Sequence, residues 1–338
     1  WHQTRCAGRC ACTRQEVELS LHRQKQYTMS MRSDLAEPVA YAAPVQHEPV
    51  IGAPRLTQAG AELLGEIEVL DEYGLRRRIS IPSEQPLTVY VDKRELVTLM
   101  TLGARPELLV LGYLLNQRLI SSVVEIESIS VDWDVNAAAV VTRAGISHIE
   151  DKTARRVVTT GCGQGTVFGD MLGQLDAVNL PDVQAARIRQ STLHAMLEVM
   201  RKQDSIHHKA GSVHGCALFG TSSGAICELL MFVEDVGRHN AIDTIAGWMA
   251  LNGIHGADKT FYTTGRLTSE MVMKSAQMGV PIIVSRNGVT AMGHGMATRL
   301  GMTLVGRATN RHFLCYTGFD RFDSEPEPQR PPVRVVAG

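Results

Sequence analysis

The stretch "ICELLMFVEDVGRHNAIDTIAGWMAL", residues 226–251, decides the fold. Its first part, "ICELLMFV", is a short, nearly continuous apolar run of strand length. Its second, "RHNAIDTIAGWMAL", is long enough for a helix and opens just after Gly237. The couplet then repeats. "KTFYTT" reads as a strand and "SEMVMKSAQMG" as a helix, then "PIIVS" and "TAMGHGMATRLG", and "MTLVG" closes the series at residue 306. Strands alternating with helices of about 10–15 residues predict an α/β layer with a largely parallel sheet.

Upstream the period changes. "GEIEVLDEYGLRRRISIP" alternates apolar and polar residues around Glu72-Tyr73-Gly74, which predicts a hairpin. "LTVYVDKREL" reads as one further strand. "RPELLVLGYLLNQRLI" carries Leu108, Leu111, Leu114, Leu115 and Leu119 at helical spacing behind Pro106 and Glu107, and "VVEIESISVDWDVNAAAVVTRAG" returns to strand period. A further helix is expected to start near Pro181 and Asp182. It carries Leu193, Met196, Leu197 and Met200 on one face and ends in "HHKAG". The chain divides accordingly. Residues 1–60 are an extension and disordered lead-in, 61–155 a strand-rich portion with one buried helix, 156–320 the α/β domain, and 321–338 a disordered tail.

The 338 residues are 44% hydrophobic and 20% charged, with 34 basic against 35 acidic side chains, so no basic field points to nucleic acid or a membrane surface. Aromatics make up 5%, too few for a platform that stacks single strands. Apolar runs are broken by charge or proline before bilayer length, and a cytoplasmic protein is expected. Seven cysteines at uneven spacing make no disulfide framework in a chain of this size. Cys216, Cys227 and Cys315 sit in strand-like apolar runs and suit core packing. Cys6, Cys10 and Cys12 with His2 have the residue types of a metal site. They lie, however, in a segment that starts at Trp1, precedes Met29 and Met31, and reads as an extension outside the fold.

Cys162 is different. In "VTTGCGQGTVFGD", residues 158–170, Gly161, Gly163 and Gly165 leave the sulfur unshielded and the backbone free to turn, the setting of an accessible thiol. A glycine-rich turn that merely contains cysteine would look the same. Ligands of α/β sheets bind beyond the carboxyl ends of the strands. There this chain places Glu234–Asn240, Thr264–Glu270, Ser285-Arg286-Asn287, and then Arg307, Asn310, Arg311 and His312. Arginines and histidines gathered at one edge suit an anion. No Walker loop or complete dinucleotide fingerprint occurs. His148-Ile149-Glu150 matches half of the zinc deaminase signature, but no P-C-x-x-C follows, and no zinc is expected.

Four strings, "VTTGCGQGTVFGD", "FVEDVGRHNAIDTIAG", "TTGRLTSEMVMKSAQMGVPIIVSRNGVTAMG" and "GMTLVGRATNRHFLCYTG", resemble in order the formate dehydrogenase accessory sulfurtransferases, the FdhD family. The resemblance spans roughly residues 66–320 and implies a cytidine-deaminase-like α/β/α layer without its zinc site. It further implies a sulfurtransferase that accepts sulfur as a Cys162 persulfide from a cysteine desulfurase. The sulfur would pass to the bis-molybdopterin guanine dinucleotide cofactor for the formate dehydrogenase catalytic subunit. The alternative is a cofactor chaperone that moves no sulfur. The cofactor's nucleotide end would lie on Arg307, Ala308, Thr309, Asn310, Arg311 and His312, with Arg238, His239 and Arg266 also at the cofactor. Arg307 would stack on guanine or pair with phosphate. Asp235 would accept from guanine or cap the following helix. A homodimer suits a cofactor with two pterin-dinucleotide halves. Gly165 stands where many members carry a second cysteine.

Overall fold

The computed structural model describes residues 50–146, 178–221 and 227–325. The Cys162 loop, His148 and the three N-terminal cysteines lie outside the described residues. In chain order the elements are β1 (Arg55–Leu56), β2 (Leu64–Leu70), β3 (Arg76–Pro82), β4 (Gln85–Val91), β5 (Arg94–Thr101) and α1 (Pro106–Asn116). They continue with β6 (Ile126–Asp132), β7 (Ala137–Thr142), β8 (Ile188–Arg189), α2 (Gln190–Lys202) and α3 (Ile206–Ala210). Then come β9 (His214–Gly220), β10 (Glu228–Asp235), α4 (Arg238–Leu251), β11 (Lys259–Thr263), α5 (Ser269–Gln277) and β12 (Ile282–Ser285). α6 (Ala291–Leu300), β13 (Thr303–Thr309), β14 (His312–Thr317) and β15 (Phe322–Asp323) complete the series.

The N-terminal portion is strand-rich, as its period requires. β2 and β3 pair antiparallel across the Glu72–Gly74 turn. "LTVYVDKREL" is not one strand. It is a hairpin of β4 and β5, because Asp92 and Lys93 both take positive φ (47° and 71°) and reverse the chain within two residues. β4 to β7 join β1 in a five-stranded sheet of order β1-β6-β7-β4-β5. Residues just before β2 are also built in. Thr57 Oγ1 and the Ala59 amide each donate 2.6 Å hydrogen bonds to Glu107 in the first turn of α1.

The second sheet has the order β10-β9-β11-β12-β13-β14. It is mixed rather than largely parallel. Only β11–β12 and β12–β13 pair parallel, whereas β9 runs against both β10 and β11, and β14 runs against β13. Apolar strands buried on both faces read alike in either direction, so the alternation could not show the reversal. β10, β11, β12 and β13 share one direction, and their carboxyl ends share one edge. α4, α5 and α6 cover one face over Ile242, Ile245, Met271, Val272 and Met296; α2 covers the other with Leu193, Met196 and Leu197. The result is an α/β/α layer. α2 starts at Gln190, later than the Pro181–Asp182 cue, because Asp182 caps a single 3-10 turn (Val183–Ala185) instead. "HHKAG" belongs to the separate α3, capped by Ser205 and ended by Gly211 at φ 67°.

α1 lies between the sheets and crosses α4 backbone to backbone. A Cβ on Gly112 would sit 1.7 Å from the Asp243 carbonyl oxygen, and one on Gly247 2.0 Å from that of Leu108. Only glycine at both positions lets the helices meet this closely. Gly247→Ala is expected to cost at least about 3 kcal/mol in urea unfolding by forcing α1 and α4 apart. A loss below about 1 kcal/mol would show that the contact has slack.

Candidate functional site

The carboxyl edge of the second sheet is where most of the expected site residues meet. β13 and β14 form a hairpin whose turn is Asn310-Arg311, with Thr309 opposite His312. Arg307 therefore lies within β13, at a bulge, rather than beyond its end. It takes φ 52°, and its amide donates to the Asn287 carbonyl at 2.8 Å. A bulge re-aims its side chain, and the local strain is offset by the neighbouring strand loop. Asn310, at φ 53°, suits the left-handed turn position. Arg307, Thr309, Asn310, Arg311 and His312 are exposed; Ala308 is buried and packs inward.

Arg266, Arg286, Arg307 and Arg311 are all exposed along this edge, and none forms an ion pair with a described residue. The amino ends of α4, α5 and α6 face the same edge, adding partial positive charge. The nearby carboxylates are occupied. Glu234 accepts from the Ile206 and His207 amides at 2.6 and 3.0 Å.

Asp235 is 3% exposed, and both of its oxygens are engaged. One accepts from Thr101 Oγ1 and the Leu102 amide, the other from the Gly237 amide and Asn240 Nδ2. Burial pushes its carboxyl up, and these donors pull it back. Asn240 also donates to the Met100 carbonyl at 2.7 Å. Asp235 is thus a clamp between β5 and the start of α4, with no lone pair presented to a guanine.

Arg238 begins α4 and lies over Gly265, where a Cβ would approach its Cδ to 2.8 Å. His239 is 1% exposed, and neither ring nitrogen has a hydrogen bond to a described residue. Its Nε2 is 3.4 Å from Glu270. Burial first, then the Lys274 and Arg238 cations, push its pKa down to about 2, so the ring is neutral and does not face the edge as a cation. From Glu270 a polar chain runs inward. Lys274 Nζ is 3.7 Å from Glu270 and 2.8 Å from Asp243, and Asp243 accepts from Asn116 Nδ2 at 2.7 Å.

His214, which no sequence cue singled out, also stands at this edge. It starts β9 opposite Asp235, with Nδ1 3.5 Å from Thr264 Oγ1. Burial and then the charges of Arg238, His207 and Arg266 hold it below the ordinary histidine range. The sign that betrays it, the reversed direction of β9, is tertiary.

The three described cysteines are poor nucleophiles. Burial pushes the Cys216 and Cys227 thiols up to about 12 and raises that of Cys315. No group of three or more metal-ligating side chains occurs among the described residues. No helix among them is long and apolar enough to cross a membrane.

Fold and edge together define an α/β protein with exposed arginines along the carboxyl edge of its second sheet and a strand-rich N-terminal portion. A model of the FdhD/NarQ family matches residues 82–323, and the chain belongs to that family. It is 31% identical to "Sulfur carrier protein FdhD" of Bacillus licheniformis, over 71% of this chain and 88% of that one. It is 28% identical to the protein of the same name from Listeria monocytogenes, over 72% and 91%. Among solved structures, a formate dehydrogenase accessory protein from Desulfotalea psychrophila aligns with TM-score 0.60 and 25% identity, covering 77% of this chain and 98% of that one.

His239 makes the fold acid-sensitive. An unfolded imidazole protonates near 6.5, the folded one only near 2. The unfolded state therefore binds more protons between those values, and stability falls as pH drops through that window, by up to about 1.4 kcal/mol per pH unit. Glu270, raised by burial, acts in the opposite sense across the carboxylate range. His239→Gln should flatten the decline between about pH 6.5 and 5 in urea unfolding; an unchanged slope would contradict a neutral buried ring.

Proposed function

We propose that this chain is a sulfur carrier for formate dehydrogenase maturation, with Cys162 as the persulfide carrier and the bis-molybdopterin guanine dinucleotide as the cargo that receives the sulfur. The observation that carries the reading is the band of Arg266, Arg286, Arg307 and Arg311 without acidic partners among the described residues. It lies on the sheet edge of a chain in the FdhD/NarQ family. A dinucleotide cargo bears phosphates, and guanidinium groups pair with them bidentately.

Cys162, as thiolate, attacks the outer sulfur of the donor's persulfide. A new S–S bond forms on Cys162, the donor's S–S bond breaks, and the donor leaves as thiolate. A cysteine desulfurase is the donor class this step requires. Glycines at 161, 163 and 165 allow both the donor and a bulky acceptor to reach the sulfur. The described cysteines do not compete, their thiols being held protonated by burial. Arg307 and Arg311 hold the nucleotide end of the cargo, with Asn310 and His312 beside them. Arg266 stands farther along the same edge.

Gly165, in place of a second cysteine, favours one other reading, a chaperone that holds the cargo without moving sulfur. The two readings separate by mass. Full-length protein incubated with a cysteine desulfurase and L-cysteine, without reductant, is expected to gain one sulfur atom, and Cys162→Ala none. No gain in wild type with active desulfurase would leave the chaperone. Under both readings Arg307→Ala/Arg311→Ala should weaken cargo binding at least about tenfold; under the sulfur-carrier reading it should leave the persulfide on Cys162 unchanged.

A further inference from the structure

Where α1, α4 and α5 end, away from the arginine edge, lies a cavity of about 570 Å³, within the size range of small-molecule sites. α4 opens at the edge and is 14 residues long, about 21 Å, so the cavity at its far end and the arginine edge are separate. Leu115, Ile120, Met249, Ile254 and Met278 give the cavity an apolar wall. Arg118 is the one charged side chain among its described lining residues, and no carboxylate stands with it.

The three helix ends close alike. In each, amides just past the helix fold back onto carbonyls of its last turns, which leaves little negative partial charge for Arg118 to balance. The left-handed residue that each closure needs is Gly253 at φ 63° in α4 and Gly279 at φ 72° in α5, but Arg118 at φ 53° in α1. Arginine is strained there and glycine is not, so the turn itself gives no reason for a guanidinium at this position. Arg118 is half-buried. Gln277, with its amide turned to satisfy both partners, accepts from Arg118 Nε at 3.3 Å and donates to the Asn116 carbonyl at 3.2 Å. One nitrogen thus holds the guanidinium at the wall. The two terminal nitrogens have no hydrogen bond or ion pair with a described residue.

We propose that this cavity binds a small monocarboxylate with an apolar body, its carboxylate paired with Arg118 and its body against Leu115, Met249 and Met278. One guanidinium neutralises one charge. A dianion such as phosphate would bring a second charge against an apolar wall that holds nothing to pair with it. A cation would be repelled by Arg118, and an uncharged ligand would strip water from the guanidinium without replacing it. The site goes beyond the sulfur-carrier reading and does not depend on it.

The test is calorimetric titration of the full-length protein with octanoate, and with octylamine as its cationic counterpart. One octanoate is expected per chain, with a Kd of about 1 mM or tighter and octylamine at least about tenfold weaker. Arg118→Gly should weaken octanoate about tenfold yet melt close to wild type, because glycine suits the left-handed turn. Ala250 is a half-buried residue of the α4 wall. Ala250→Phe fills the cavity and should weaken octanoate as much, with Arg118 intact. Its result decides the matter should Arg118→Gly melt early. Absence of saturable binding in that range, octylamine as tight as octanoate, or octanoate binding that survives either variant would overturn the proposal.

Discussion

The approach of α1 to α4 through Gly112 and Gly247 is the constraint on which the rest of the structure depends. Where two helices meet with a carbonyl oxygen in the place of a side chain, neither can turn or slide without collision. α1 brings the five-stranded sheet with it, through Leu109, Leu111 and Leu114, and α4 brings the six-stranded one, through Ile242 and Ile245. Asp235 and Asn240 repeat the connection at the ligand edge by binding the end of β5. The start of α4, and with it Arg238, is positioned from both sides.

The Asn116–Asp243–Lys274–Glu270–His239 chain follows from that crossing. Asp243 supplies the carbonyl beneath Gly112, and its side chain binds both α1 and α5. Buried ion pairs of this kind add little net stability over apolar packing, yet they are costly to leave half-made. Their effect here is to fix the register of α1, α4 and α5, and with it the amino ends of α4 and α5 at the edge. The neutral His239 ring ends the chain 3.4 Å from Glu270.

At the edge the balance is reversed. Carboxylates are turned inward or saturated, while arginines are left on the surface without described partners. Such a distribution lowers stability slightly through repulsion, which a bound anion would offset. The bulge at Arg307 and the passage of Arg238 over Gly265 are the local devices that aim individual guanidinium groups.

Much of this was legible in the residues. The couplets from 226 to 306 show the α/β layer because apolar run length and helical spacing are local properties. The order of the quoted strings carried the family, and Arg266 and Arg311 fell after strands that could be counted along the chain, whereas Arg307 lies inside β13 at its bulge. Other features depended on partners far away in sequence. The Asp92-Lys93 reversal was hidden because Asp92 is followed by Lys93, which carries no turn signal, rather than by glycine, and α2 began late because Asp182 capped a 3-10 turn. Asp235 and His239 look like ligand groups in a string; burial and hydrogen bonding turn one into a clamp and the other into a neutral core ring. His214 is the converse case. A residue at the start of a strand belongs to the far edge of a parallel sheet, and only the antiparallel course of β9 brings it beside Arg238. The sequence by itself determined which segments are strands and helices and which side chains carry charge. Strand direction, and with it the set of charges that meet at one edge, was decided by tertiary pairing, because hydrophobic periodicity is the same read in either direction.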